Sequence, residues 1–115
     1  LVPNVHVIGD AAIGGAMPKS AFTANAQAKA CAIAIARLLR GQEPESPKLI
    51  NTCYSLIAPD QAVSVGGVYE PTNGLLAEVP GAGGTSPLDA PRAVREQEAL
   101  YAKDWFGTIT QEAFG

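Results

Sequence analysis

Two groups of residues in this 115-residue chain have the types and spacing to do chemistry. The first is Cys53, set in Asn51-Thr52-Cys53-Tyr54-Ser55. A purely structural cysteine more often sits among large apolar neighbours, so a thiol flanked by Asn, Thr and Ser is a candidate redox group, though a core position suits it too. The second is Gly9-Asp10, at the end of the β-branched run Val5–Ile8 and ahead of Pro18-Lys19-Ser20. An acid at the carboxyl end of a buried strand can accept hydrogen bonds from ligand hydroxyls. A helix N-terminus just beyond it presents free N–H groups and partial positive charge. A polyhydroxylated, electron-accepting ligand fits both features. A plain strand-turn-helix with Asp10 as a turn residue fits the same letters. Lys19 is either a positive charge beside such a ligand or a solvated lysine at a helix start.

The remaining reactive types read as structural. Cys31 falls on the small apolar face of a helix and suits a core thiol. His6 has no partners for a metal site or a catalytic triad, and two cysteines with one histidine make no structural zinc site, so no metal is expected. Tyr101 and Trp105 suit core or interface anchors.

The elements that must position these residues follow from pattern. Val5–Ile8 predicts a buried strand, then a tight turn at Gly9-Asp10 and a glycine-rich loop, Ala11–Ala16. Pro18–Arg40 is the best helix in the sequence, with Pro18 in its first turn and Gly41 at its C′ position. Ala24, Cys31, Ile35 and Leu38 share one face of it, and that small-residue face implies close approach by another element. Glu43–Pro47 is a polar, proline-flanked linker. Leu49–Ile57, Ala62–Tyr69 and Leu75–Val79 predict three strands, turned at Pro59-Asp60 and at Pro71-Thr72-Asn73-Gly74, which favours antiparallel hairpins. Gly66-Gly67 marks a bulge or a close backbone approach. Pro80–Pro87 reads as a flexible link. Asp89 then caps a second helix carrying Val94, Tyr101 and Trp105, which breaks near Gly107, with Thr108 and Gln111 as a capping box for a final turn.

Composition bounds the rest. The chain is 47% apolar, but 20 residues are alanine and large core builders are few. With 12 Gly and 9 Pro, a loop-rich domain with a thin core is expected. Net charge is −3, and no Lys or Arg occurs between Leu49 and Pro91, which excludes a nucleic-acid groove. No apolar run reaches the roughly 20 residues of a membrane span. The chain opens on Leu1 rather than Met and reads as excised or processed.

Val7-Ile8-Gly9-Asp10-Ala11 resembles the second flavin fingerprint of the FAD-dependent disulfide-oxidoreductase superfamily. Ile8-Gly9-Asp10-Ala11-Ala12, Met17-Pro18-Lys19-Ser20-Ala21-Phe22 and Asn51-Thr52-Cys53-Tyr54-Ser55 resemble, more narrowly, the flavoprotein subunit of flavocytochrome c sulphide dehydrogenase. The ending Trp105-Phe106-Gly107-Thr108-Ile109-Thr110 with Phe114-Gly115 is similar to that family too. The resemblance implies that Gly9 and Asp10 hold the FAD ribityl chain. It implies that Pro18, Lys19 and Ser20 bring the helix start under the flavin pyrimidine edge. It implies that Cys53 is half of a redox disulfide attacked by sulphide, with electrons passing to FAD and then to a c-type cytochrome subunit carrying haem c, in the periplasm. The Gly-x-Gly-x-x-Gly fingerprint for the FAD diphosphate and an upstream cysteine are both missing, so the likeness is to the C-terminal part only.

The reading is therefore an α+β chain. Residues 1–46 form the strand-loop-helix tail of an FAD-binding domain. Residues 47–115 form a small three-stranded antiparallel sheet and a C-terminal helix that caps the flavin. The function expected is the C-terminal part of a sulphide-oxidising flavoprotein, inactive in isolation, with self-association of the fragment through the α-helical face. A non-catalytic module docking a cytochrome or a second subunit, or part of a quinone-reducing flavoprotein, stands as the alternative. Cys31 and Cys53 are not expected to bond to each other, and Cys53 is expected to be the more accessible thiol.

Overall fold

The structure, a computed structural model, describes residues 2–115. A 3-10 turn at Gly9–Ala11 precedes α1 (Ala21–Leu38), β1 (Leu49–Ala58), β2 (Gln61–Thr72), β3 (Leu75–Glu78), β4 (Gly84–Thr85) and α2 (Arg92–Phe114). The class is α+β, as the sequence predicts. One sheet runs in the order β1-β2-β3, with β4 also paired to β2. Two-residue turns join the hairpins. Asn73 and Gly74, both at positive φ (51° and 81°), close β2 onto β3 with Thr72 opposite Leu75. Positive φ at both central residues is what a right-twisted hairpin demands, and Asn-Gly supplies it at little cost.

Internal contacts divide the chain into two units: Leu1–Asn51 with Gly67–Ala82, and Thr52–Gly66 with Gly83–Gly115.

In the first unit α1 is alanine-rich, which favours the helix intrinsically. It starts at Ala21 rather than Pro18, because the Ser20 side chain accepts the Thr23 N–H at 3.0 Å and caps the first turn. A cap of this kind contributes about 1 kcal/mol. At the other end Gly41 takes φ +70°, and the Gln42 N–H returns to the Arg37 carbonyl at 3.0 Å. Arg37 then ties the following linker, through Glu43 O at 2.8 Å and the Glu45 carboxylate at 2.8 Å. The Ala24 end of the small-residue face takes the Gly9 backbone close by, since a Cβ at Gly9 would lie 3.5 Å from that of Ala24. The Ile35 and Leu38 end of that face is exposed.

The opening strand is not formed. Val5–Ile8 has no strand assignment and is exposed, although Ile8 is extended. A strand is a property of pairing, and no described strand pairs with these residues. The glycine-rich loop pairs instead. Gly15 makes a parallel bridge with Leu76 of β3, the Ala16 N–H donates to Leu76 O at 2.9 Å, and the Leu76 N–H donates to Gly14 O at 3.2 Å. Gly67 provides the close approach expected of the Gly-Gly pair, as a Cβ there would meet the Tyr69 hydroxyl at 2.7 Å.

In the second unit the expected flexible link is ordered. Gly84–Thr85 pairs with Gly66 and Val65 of β2, and Ser86 accepts the Ser64 N–H at 2.6 Å. Both serine hydroxyls donate to Glu98 Oε1 of α2, Ser64 at 3.0 Å. Arg95, which is buried, faces Glu98 Oε2 at 3.5 Å and donates to Pro87 O. This knot holds α2 where apolar burial is slight. The buried α2 stripe is Arg95, Ala99 and Ala102, so the predicted stripe is offset: Val94 and Tyr101 are exposed and Trp105 is half-buried. Asp89 does not cap the helix, whose N-cap is Pro91 without a side-chain bond. No break occurs at Gly107. Glycine keeps its backbone N–H and so costs helix stability without opening the ladder. Thr108 and Thr110 donate back to the Asp104 and Phe106 carbonyls instead of capping a new turn.

Gly15 (φ +73°) has the Leu76 carbonyl 2.7 Å from where a Cβ would sit, whereas Gly41 (φ +70°) has open space. Gly15→Ala should therefore lower unfolding stability by about 2–3 kcal/mol and Gly41→Ala by about 1 kcal/mol. Urea midpoints of the two variants check this, and equal losses would contradict the packing role of Gly15.

Candidate functional site

Within the first unit the Gly-Asp turn is held from two sides by α1 and its approach. The Gly9 N–H donates to Gln27 Oε1 at 2.7 Å. The Lys19 ammonium donates to the Asp10 carbonyl oxygen at 2.6 Å. Gly9 adopts φ +64°, a turn conformation that glycine takes without strain. Asp10 is exposed, and among the described residues its carboxylate has no hydrogen-bonding or ionic partner. The sequence-predicted residues Gly9, Asp10, Pro18, Lys19 and Ser20 thus fall into one short stretch of surface. It presents an acceptor carboxylate, a cation and a helix start together. That donor and acceptor set fits the hydroxylated chain and electron-accepting ring edge of a flavin. The glycine-rich loop gives its Ala16 N–H and its Gly14 carbonyl to Leu76 of β3.

Ser20 has two partners inside the protein. Its hydroxyl accepts from the Thr23 N–H and donates to Asn51 Oδ1 at 2.6 Å. Thr23 Oγ1 donates to the same Asn51 oxygen at 3.1 Å. Asn51 is only 2% exposed. Sequence reasoning took Asn51 as a polar neighbour of Cys53 and missed this role. The one available signal was an Asn inside a strand, where Asn is depleted. Beside the turn lies a cavity of about 370 Å³. Val7, Ile8, Ile13, Leu75 and Leu76 line it, with Gln27 a polar exception.

Cys53 belongs to the second unit, in the interior of β1, and is half-buried. Cys31 is half-buried too, and no disulfide involves either. The expected contrast in accessibility between the two thiols is therefore absent at this level. Next along β1, the Tyr54 ring lies 6.4 Å from that of Trp105, tilted at 38°. Together with Leu56, Ala102, Lys103 and Phe106 they line a cavity of about 310 Å³. Burial raises the Tyr54 phenol above its ordinary pKa, and Tyr101 and Glu98 push it the same way. His6 is exposed. Among the described residues no cluster of three or more His, Cys, Asp or Glu could hold a metal, and no helix is long and apolar enough to cross a membrane.

Residues 45–114 match the family model described as flavocytochrome c sulphide dehydrogenase, flavin-binding. The matched segment is more than half of the chain. It takes in Cys53, all four strands and α2, while the Gly9–Ser20 stretch precedes it.

The Tyr54 shift has a signed consequence for stability. A phenol whose folded pKa is raised favours the folded state fully below its unfolded value, about 10, and that contribution is lost as pH rises through the folded pKa. Unfolding midpoints measured from pH 9 upward should fall more steeply in the wild type than in Tyr54→Phe. Parallel curves would contradict the assignment.

Proposed function

The chain belongs to the flavocytochrome c sulphide dehydrogenase flavin-binding family, and on that premise we propose that it is the C-terminal part of a flavoprotein that oxidises sulphide. In this reading Asp10 accepts hydrogen bonds from the ribityl hydroxyls of FAD. The Lys19 ammonium and the start of α1 place positive charge at the flavin pyrimidine edge, where negative charge collects on reduction. When bound, FAD supplies the two-electron acceptor. Cys53 is half of the disulfide that sulphide attacks, and its partner cysteine lies in a part of the flavoprotein outside this sequence. Electrons leave by a c-type cytochrome subunit, which places the protein in the periplasm.

The observation that carries the proposal is the family match over residues 45–114, which contains Cys53. Two structural features support it. The Asp10 carboxylate is exposed beside Lys19, and Cys53 is not consumed by a bond to Cys31. The sequence contains no Gly-x-Gly-x-x-Gly turn for the diphosphate, a contact on which tight dinucleotide binding depends. The isolated chain is therefore inactive.

In the full-length flavoprotein, Cys53→Ser should lower sulphide-dependent cytochrome c reduction by about 10³-fold or more, the scale of losing a covalent nucleophile. The visible flavin band should remain. Retention of activity would overturn the role of Cys53. The isolated chain should emerge colourless from gel filtration after incubation with FAD. A yellow, near-stoichiometric complex would overturn the view that this part alone is insufficient.

A further inference from the structure

We propose that Asn51 is a positioning residue for the flavin-facing start of α1, an inference that rests on the flavin reading of the Gly9–Ser20 stretch. A buried amide is costly unless its polar atoms are paired, and Asn is a poor strand residue. Its presence at 2% exposure in β1 calls for a physical reason. The reason is visible at its side-chain oxygen. Asn51 Oδ1 accepts the hydroxyl protons of both Ser20 (2.6 Å) and Thr23 (3.1 Å).

A serine hydroxyl has one proton. Because Ser20 gives it to Asn51, the Ser20 lone pairs are left for the Thr23 N–H, which they accept at 3.0 Å. The orientation of the Asn51 amide therefore sets the polarity of the helix cap. The Thr23 hydroxyl is nearly sealed from water, with Thr23 3% exposed. Without Asn51 it must either stay unpaired or bond back to a carbonyl of the preceding turn, which bends helices. Ser20 is likewise freed to rotate and release the Thr23 N–H. Lys19 immediately precedes Ser20, and its ammonium sits on the Asp10 carbonyl. A shift at the cap is thus passed to the cation and to the turn bearing the carboxylate.

The test uses the full-length, flavin-loaded protein and three variants: Asn51→Leu, which removes the acceptor; Asn51→Asp, which keeps an acceptor in place; and Thr23→Val, which removes one donor. The readouts are the flavin dissociation constant, the flavin midpoint potential and the unfolding midpoint. Loss of one buried neutral hydrogen bond from the positioning network corresponds to about a tenfold change in affinity. Asn51→Leu should weaken flavin binding by at least that factor and make the potential more negative, because positive charge at the ring edge is lost. Thr23→Val should do so more weakly, and Asn51→Asp should restore wild-type affinity to within about threefold.

A folded Asn51→Leu protein with wild-type affinity and potential, but a lowered unfolding midpoint, would show a purely structural role and overturn the inference. Should Asn51→Leu fail to fold, an unchanged Thr23→Val together with a weakened Asn51→Asp overturns it equally. The flavin reading itself is tested by Asp10→Asn with Lys19→Met. If that double variant binds flavin as the wild type does, this loop does not hold the cofactor, and the inference falls with it.

Discussion

Small side chains set the terms on which this chain packs. Among the described residues the buried apolar side chains are Met17, Tyr69 and three alanines, Ala62, Ala99 and Ala102. An alanine removes little apolar area from water, so its burial brings backbones close while supplying little of the drive to fold. Directional contacts make up the difference. In one unit the Ser20, Thr23 and Asn51 side chains close on each other. In the other, Ser64, Ser86, Arg95 and Glu98 do so. Such knots hold a fold only when every member is paired, since a stranded buried donor or acceptor costs about 1–3 kcal/mol. Among the described residues no buried side-chain nitrogen or oxygen lacks a partner.

The same economy explains how the glycine-rich loop is used. Its glycines suggest a ligand cradle, yet Gly15 is required by the Leu76 carbonyl and Gly9 by the turn it makes. The loop backbone is therefore scaffold. What it leaves for a ligand are the side chains at its margins, the Asp10 carboxylate and the Lys19 ammonium, steadied by Gln27 and by the capped helix start. A side-chain acceptor of this kind suits hydroxyl groups, and a cation suits an electron-rich ring. Neither replaces the multiple backbone N–H donors that a diphosphate needs. In the proposed reading, that chemistry serves one part of a dinucleotide cofactor.

Local chemistry made much of the fold legible in the sequence, and non-local pairing hid the rest. Pro59-Asp60 and Asn73-Gly74 mark turns whose geometry is set within four residues, so both hairpins and all three longer strands are found within a few residues of their predicted ends. Gly41 marks the end of α1 in the same local way, whereas the start predicted at Pro18 falls at Ala21, behind the Ser20 cap. Val5–Ile8 has every letter of a strand, but pairing decides, and letters cannot supply a partner. Gly84–Thr85 fails in reverse: two residues with weak strand character become a strand because β2 offers an open stretch of ladder. Along α2 the periodicity of large residues points to the wrong stripe, since close packing here selects alanines and a paired Arg95-Glu98. Among the candidate functional residues, Asp10, Lys19 and Cys53 are legible by type. Asn51 is not, because its role depends on a contact spanning 31 positions.

The exposed end of the chain bears on the flavoprotein reading through the same distinction between pattern and pairing. Val5, Val7, Ile8 and Ile13 are 60%, 58%, 40% and 88% exposed. Isolated apolar residues at a surface are ordinary, but a β-branched run this dense is not. A segment without ladder partners leaves backbone groups open to strand pairing, and soluble proteins protect such edges with charge, proline or a covering element. Here Val5–Ile8 carries no Asp, Glu, Lys or Arg, and Val7 and Ile8 line the cavity beside the Gly-Asp turn. The letters thus fit a strand whose ladder neighbours are not found among the described residues. In the proposed reading, such neighbours would set Asp10 at the carboxyl end of a strand, where open α/β folds bind their ligands.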